Sequence, residues 1–330
     1  MAITSSKYTL PIYVLLTFLI SWSLWFTSGI FSRPAPAEIR DFPWFIAQLG
    51  VFMPSILALL FFSLSGNQKR KVSLAAIFLI FIPVVLLGAW IAAAAPDKIL
   101  HLNSLHAIIV IIVALWVMVF FSSLNPCQKD LGLEPQSSLK RTGWILLSLL
   151  FLPALFLISW VLASFSGGVF TATVLTGNVT KVLWSIILLF AFNLLCAGAL
   201  GEEIGWRGFV LPRLLEKSSP LRASFILAVI WASWHLPIDI RYGFGLTGAG
   251  GIVVRFLWTW PLTIIFTWFY LRSKKSLLVP LLLHASINML SDFGFSNYEQ
   301  TISVMFLIQI PVAIILGFRL SGKLPFDSSK

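Results

Sequence analysis

The chain has 330 residues, of which 58% are hydrophobic and 11% charged, with a mean hydropathy of +0.95. This composition excludes a soluble globule and predicts an all-α, polytopic membrane protein. The formal net charge of +11 indicates topology rather than nucleic-acid binding, because in membrane proteins the position of basic residues sets orientation. The two cysteines suggest neither a disulfide framework nor a thiolate metal site.

Ten apolar runs, most of them about 20 residues long, match the length that crosses about 30 Å of hydrocarbon as a helix. We expect a bundle of about 8–10 membrane segments, of which the short segment 277–293 is a candidate for a re-entrant helix. The predicted spans are 8–30, 43–65, 72–95, 105–123, 142–165, 182–200, 222–240, 255–271, 277–293 and 301–318.

Basic residues are unevenly distributed between the two sides of these spans. An inner amino terminus places 17 of the 23 lysines and arginines on the cytoplasmic side. The bias predicts that both termini are cytoplasmic, in a cell membrane. We expect one integral domain over 1–330, in which 1–141 contribute accessory helices and 180–293 form the core that carries the chemistry.

Two adjacent acids end the span 182–200, in the sequence Glu202-Glu203-Ile204-Gly205-Trp206-Arg207. An acid near hydrocarbon costs roughly 2.5–3.5 kcal/mol, so such residues usually face a cavity or a partner. On a regular helix Glu203 and Arg207 share a face and can pair, whereas Glu202 points about 100° away. The alternative interpretation is an ordinary helix end with interfacial charges.

Polar side chains recur at four-residue spacing in two later spans. His235 follows Trp231 by four residues and precedes Asp239 by four, and Pro237 is expected to bend or end that helix. His284 and Asn288 repeat the spacing and offer two donors that could converge on one oxygen. The alternatives are a satisfied core histidine and an interhelical hydrogen-bonded pair.

Together these groups suit peptide hydrolysis, which requires activation of water and stabilisation of an oxyanion. Glu202, His235, His284 and Asn288 supply candidates for both tasks. The chain lacks the His-Glu-x-x-His zinc motif, and it also lacks the nucleophile motifs of rhomboid and presenilin proteases.

The motifs resemble those of the CPBP family, the CAAX protease and bacteriocin-processing membrane enzymes that include type II CAAX prenyl endopeptidases. The family motifs are Glu-Glu-x-x-x-Arg, Phe-x-x-x-His and His-x-x-x-Asn or Asp. This chain departs from the second motif, because Trp231 stands where phenylalanine is usual. An aromatic ring replaces another, so we expect the packing to be preserved.

The resemblance implies an intramembrane endopeptidase that acts on a membrane-associated peptide or a prenylated protein. It implies that Glu202 is the general base, that His235 binds or activates water, and that His284 and Asn288 hold the oxyanion. Glu203 and Arg207 would brace the site. If a divalent metal such as zinc is used, Glu202, His235 and His284 are its candidate ligands.

Two other classes of function stay open. One is a non-catalytic immunity or scaffold protein that retains the motifs as structural polar contacts. The other is a transporter with a proton relay, which would show interrupted helices in two related halves. Here the polar groups concentrate in one half of the chain.

Overall fold

Helices account for the regular structure of the described residues. The computed structural model describes residues 8–28, 42–64, 139–165, 171–172, 175, 177–242 and 249–321. Within these ranges there is no β-strand, apart from one isolated bridge between Ala172 and Phe295. Six apolar helical stretches are long enough to cross a bilayer. The predicted all-α, polytopic membrane fold is therefore confirmed.

Eight of the ten predicted spans fall on described helices, and 72–95 and 105–123 lie outside the described residues. The helices, numbered in chain order, are α1 (Thr9–Thr27), α2 (Phe42–Ser63), α3 (Leu139–Ser164), α4 (Val179–Leu195), α5 (Ala199–Gly205), a π-helical segment (Trp206–Val210), α6 (Leu211–Leu215), α7 (Pro220–Trp234), α8 (Leu236–Tyr242), α9 (Ala249–Arg272), α10 (Leu278–Ser291) and α11 (Tyr298–Leu320).

The chain forms two compact units. The first comprises residues 1–134 and 177–205, and its described helices are α1, α2, α4 and α5. The second comprises residues 135–176 and 206–330, and it contains the other described helices. The boundary at Gly205 and Trp206 lies inside the Glu-Glu-x-x-x-Arg motif. The predicted division into accessory helices 1–141 and a core of 180–293 stays a prediction.

In the first unit, polar side chains of α1 complete the hydrogen bonding of α2. Pro54 lies within α2 and has no N–H, so the helix cannot satisfy the carbonyl of Gly50 four residues earlier. The Ser21 hydroxyl donates to that carbonyl at 2.8 Å, and the Tyr13 hydroxyl donates to the Pro54 carbonyl at 2.6 Å. These bonds let a proline-containing helix persist in apolar surroundings.

Two glycines bring α5 close to α2. A β carbon on Gly201 would lie 3.0 Å from the Phe52 ring, and one on Gly205 would lie 2.6 Å from Pro54 and from the Tyr13 hydroxyl. Glycines four residues apart allow two helix backbones to approach closely. The acid pair thus belongs to a tightly packed helix, anchored further by the Ser55 hydroxyl on the Leu200 carbonyl at 2.7 Å.

In the second unit, α3 packs against α10 and α11, and α9 packs against α7 and α11. Hydroxyl groups bond across two of these contacts. Ser224 on α7 donates to Thr267 on α9 at 2.8 Å, and Ser286 on α10 donates to the Ser148 carbonyl on α3 at 3.3 Å. Together with the packing, these bonds fix the helices that carry the two histidines.

One predicted boundary was wrong. The span 182–200 was expected to be a single helix, yet α4 ends at Leu195 and α5 starts at Ala199. The break contains Gly198 at φ +113°, a conformation that glycine adopts because it has no β carbon. Glu202 therefore lies in the first turn of a new helix, not at the end of a long one.

Candidate active site

The two acids of the motif are buried in the first unit. Glu202 is 5% exposed and Glu203 is fully buried, both on α5. Burial removes hydration from a carboxylate and is costly without compensating interactions. Both acids lie on α5, whose glycines allow close packing against α2, so they belong to a packed part of the structure. They are not ordinary interfacial charges at a solvated helix end.

The motif changes helix type at its centre. α5 ends at Gly205, and Trp206–Val210, including Arg207, form a π-helical segment. A π segment has bonds of the i to i+5 type and often occurs at functional sites. The predicted pairing of Glu203 with Arg207 relied on regular α-helical spacing between them. That pair stays a prediction.

Arg207 is buried between two aromatic rings of the second unit. Its guanidinium carbon lies 4.3 Å from the ring centroid of Trp231 on α7 and 4.3 Å from that of Phe266 on α9. Arg207 has no exposed surface. A cation over an aromatic face gains roughly 2 kcal/mol or more when it is desolvated. The two rings therefore help this cation to remain charged away from water.

His284 contacts the same two rings. Its imidazole makes edge-on contacts with Trp231 and Phe266, at centroid distances of 5.8 and 5.9 Å. His284 is buried on α10. The structure thus groups Arg207 and His284 around Trp231 and Phe266. We call these four residues the aromatic cluster.

His235 lies at the break between α7 and α8. α7 ends at Trp234, His235 is its C-cap, and α8 begins at Leu236 with Pro237 in its first turn. The prediction that Pro237 would end this helix near the histidine is confirmed. His235 Nδ1 lies 2.8 Å from the Trp231 carbonyl oxygen. Because a carbonyl can only accept, Nδ1 carries a proton, and in the neutral imidazole Nε2 then has the lone pair.

Asn288 follows His284 by one helical turn on α10, and its side chain is half-buried. Side chains four residues apart lie on the same face of a helix. α10 has 14 residues, so it extends about 21 Å and falls short of the roughly 30 Å of a bilayer core. It is not among the six stretches of crossing length, and the predicted re-entrant segment stays a prediction.

Asp239 has a partner that the spacing pattern did not indicate. It was predicted to share a helical stripe with Trp231 and His235, but the break at His235 places it on α8. Its fully buried carboxylate accepts two bonds from Arg255 on α9, Nε to Oδ2 at 2.8 Å and Nη2 to Oδ1 at 2.6 Å. This bidentate pair fastens α8 to α9.

Sequence reasoning also missed Phe266. It is one of 29 phenylalanines, and its spacing does not distinguish it. The Asp239–Arg255 pair carried a stronger signal, since an acid in an apolar segment requires a cation nearby. A search for that cation in the next span would have reached Arg255.

The candidate metal ligands are Glu202, His235 and His284. In the part of the chain that the structure describes, no three His, Cys, Asp or Glu side chains are grouped to hold a metal ion. His235 donates Nδ1–H to a backbone carbonyl, an arrangement that is usual for histidines that ligate a metal through Nε2. Metal binding by these three residues stays a prediction.

The site thus consists of a buried acid pair, a buried arginine and two histidines. All of them lie on helices of a polytopic membrane protein, and this is the class of protein with which the chain is compared. Residues 183–290 match the family model of the type II CAAX prenyl endopeptidases, described as Rce1-like. That segment contains every candidate residue of the site. This part of the chain is thus similar to the CAAX protease family, in agreement with the resemblance of its motifs.

A curated protein agrees with this assignment. The chain is 28% identical over 182 residues to a protein named CAAX prenyl protease 2 from Methanococcus maripaludis. The alignment covers 51% of this chain and 63% of the relative. The chain thus spans somewhat less than two thirds of the length of the curated relative that it matches.

Proposed function

We propose that this protein is a membrane endopeptidase that hydrolyses a peptide bond of a membrane-associated peptide or protein. The observation that carries the proposal is the coincidence of the family match with the candidate residues. Glu202, Glu203, Arg207, His235, His284 and Asn288 all fall within residues 183–290. The burial of the two acids and the aromatic cluster support the same conclusion, because holding charged groups away from water costs free energy.

Glu202 is the proposed general base. Its carboxylate takes a proton from water, and the resulting hydroxide attacks the carbon of the scissile carbonyl. The same carboxyl then gives the proton to the nitrogen of the departing amine, so the peptide bond breaks and the base is regenerated. General acid–base catalysis of this kind contributes about 100-fold to 10,000-fold in rate.

His235 is the proposed partner of the attacking water. With the Nδ1 proton donated to the Trp231 carbonyl, Nε2 can accept a hydrogen bond from that water. The carbonyl also fixes the orientation of the ring. His235 therefore orients the water while Glu202 takes the proton.

His284 and Asn288 are the proposed oxyanion donors. Attack on the carbonyl places a negative charge on its oxygen, and an imidazole N–H and a carboxamide N–H can both donate to it. Buried, pre-oriented donors stabilise such a charge more strongly than water does. Contacts of His284 with Trp231 and Phe266 restrict its ring, which suits this role. Glu203 and Arg207 brace the site.

The proposed substrate is a peptide segment held at the bilayer surface. The name of the relative, CAAX prenyl protease 2, suggests that a prenylated protein is one candidate. We further propose that both termini of this protein are cytoplasmic and that it resides in the cell membrane. The distribution of basic residues supports that orientation.

The proposal is tested with the full chain, purified and reconstituted in lipid nanodiscs. Two internally quenched peptides are supplied, identical except for an isoprenoid thioether on one cysteine. We expect cleavage, and a fall of about 100-fold to 1,000-fold in kcat for His284→Ala and for Asn288→Ala. Gln300→Ala, which removes an exposed amide of α11, should leave kcat unchanged.

Cleavage of the prenylated peptide alone would assign the substrate as a prenylated tail, and equal cleavage of both would assign a broader peptide specificity. Unchanged kcat in both His284→Ala and Asn288→Ala would contradict the oxyanion role. Absence of cleavage, with a cellular phenotype that survives both substitutions at normal abundance, would favour the non-catalytic scaffold.

A further inference from the structure

A crevice in the second unit lies apart from the residues considered so far. It has a volume of about 410 Å³ and is bounded by α7, α9 and α11. Its walls are almost wholly apolar and include Leu257, Trp260 and Phe306, with Ser321 as a polar residue. Volumes of this size are typical of small-molecule sites. If the crevice were empty, the side chains that form its walls would lack dispersion contacts. We therefore expect hydrocarbon to occupy it.

The crevice has the length of one lipid leaflet. Its lining on α11 runs from Phe306 to Phe318, which corresponds to about 18 Å at 1.5 Å per residue. Half of a hydrocarbon core of about 30 Å is about 15 Å. The crevice therefore suits an extended acyl chain that enters from the side of the membrane where α11 ends.

Two basic residues directly follow lining residues at that end of the crevice. The start of α7 meets the end of α11 there, because a β carbon on Gly317 would lie 3.1 Å from Leu221 Cδ2. Leu221 and Phe318 line the crevice, and the residues that follow them are Arg222 and Arg319, both exposed. Exposed cations next in sequence to lining residues match the charge of an anionic lipid headgroup.

We propose that this crevice binds one anionic phospholipid, with an acyl chain along α11 and the phosphate near Arg222 and Arg319. The site is separate from the aromatic cluster. Leu257 and Phe266 are nine residues apart on α9, so they lie on opposite faces of that helix at 100° per residue. Lipid binding is therefore independent of the proposed hydrolysis, and the failure of one proposal leaves the other standing.

Photo-crosslinking tests the acyl-chain part. The full chain in detergent micelles is exposed to phosphatidylglycerol that carries a diazirine in one acyl chain, and the labelled peptides are identified by mass spectrometry. We expect labelling of α9 and α11 residues that line the crevice. Ile314→Trp should reduce the yield at least fivefold, whereas Ile315→Trp should not. The two isoleucines are adjacent and each 53% exposed, but only Ile314 lines the crevice.

Headgroup recognition is tested with phosphatidylcholine of identical chains. Phosphatidylglycerol should label more strongly, and Arg222→Gln with Arg319→Gln should weaken its binding about 25-fold, since each surface cation contributes roughly fivefold. The control is Lys274→Gln with Lys275→Gln, at exposed positions outside the crevice.

Equal labelling by both lipids, insensitive to the arginine substitutions, would reduce the crevice to ordinary annular lipid and overturn the proposal. Displacement of phosphatidylglycerol by a prenylated peptide would also overturn it, by assigning the crevice to a substrate.

Discussion

Trp231 contacts three groups of the candidate site. Its ring covers the Arg207 guanidinium and contacts His284, and its carbonyl accepts from His235. The backbone contact is independent of the side chain, whereas the other two contacts require an aromatic ring. This explains how a tryptophan can stand at the position that is phenylalanine in the Phe-x-x-x-His motif that the chain resembles.

Trp231→Phe and Trp231→Ala should therefore differ sharply. Trp231→Ala removes one of the two rings that hold Arg207 and leaves a cavity beside His284, so we expect a loss of about 3–5 kcal/mol in unfolding free energy. Trp231→Phe keeps a ring and should lose less than half of that. The measurement is the free energy of unfolding in detergent, with circular dichroism as the signal. Equal stability of the two variants would contradict the account of the cluster.

Asp239 and Arg255 provide a second test at single residues. Removal of one partner from a buried ion pair leaves an uncompensated charge, which costs about 3–5 kcal/mol. Arg255→Gln should therefore destabilise the protein by that amount. Arg255→Gln combined with Asp239→Asn should recover most of the loss, because two neutral amides replace the charges. A double-mutant cycle on unfolding free energies checks this, and strictly additive losses would argue against a coupled pair.

At the scale of elements, α5 is held against α2 by glycines. Gly205→Ala places a β carbon 2.6 Å from the Pro54 backbone, which the helices can relieve only by moving apart. Overpacking of this kind costs about 1–3 kcal/mol. Activity should fall as well, because Glu202 lies on the same helix.

Gly143→Ala is the matched control for that change. Gly143 lies in α3, and a β carbon there would meet nothing within 4 Å. Alanine is the better helix former, so this substitution should be neutral or stabilise by up to about 1 kcal/mol. Thermal unfolding of Gly205→Ala and Gly143→Ala tests this difference. Equal unfolding midpoints for the two variants would refute the close packing of α5 on α2.

The two helix breaks show what local sequence could and could not predict. Pro237 lacks an N–H and interferes with the preceding turn, so the break at His235 followed from the sequence alone. The break before α5 depends on Gly198 at φ +113°, and an isolated glycine in an apolar run is compatible with either outcome. Packing of α5 on α2 selects the broken form, and such packing is a tertiary property.

At the scale of the whole molecule, composition and apolar run length predicted the class of fold, because the bilayer imposes helix length directly. The site was predicted in part. His235, His284 and Asn288 share recognisable spacing, whereas Phe266 and the Asp239–Arg255 pair depend on which helices meet. Residues 16 positions apart on different helices give no periodic signal along the chain.

The central claim for the molecule is that Glu202 activates water for peptide hydrolysis. Its most direct measurement is the initial rate of reporter cleavage by the full chain in nanodiscs, compared for Glu202→Gln and Glu216→Gln. Glu216 is an exposed glutamate of the same region, so its substitution controls for the loss of one carboxylate. We predict that Glu202→Gln slows cleavage at least about 100-fold with an unchanged unfolding midpoint, while Glu216→Gln cleaves at the unmodified rate. Cleavage by Glu202→Gln at the unmodified rate would contradict the account.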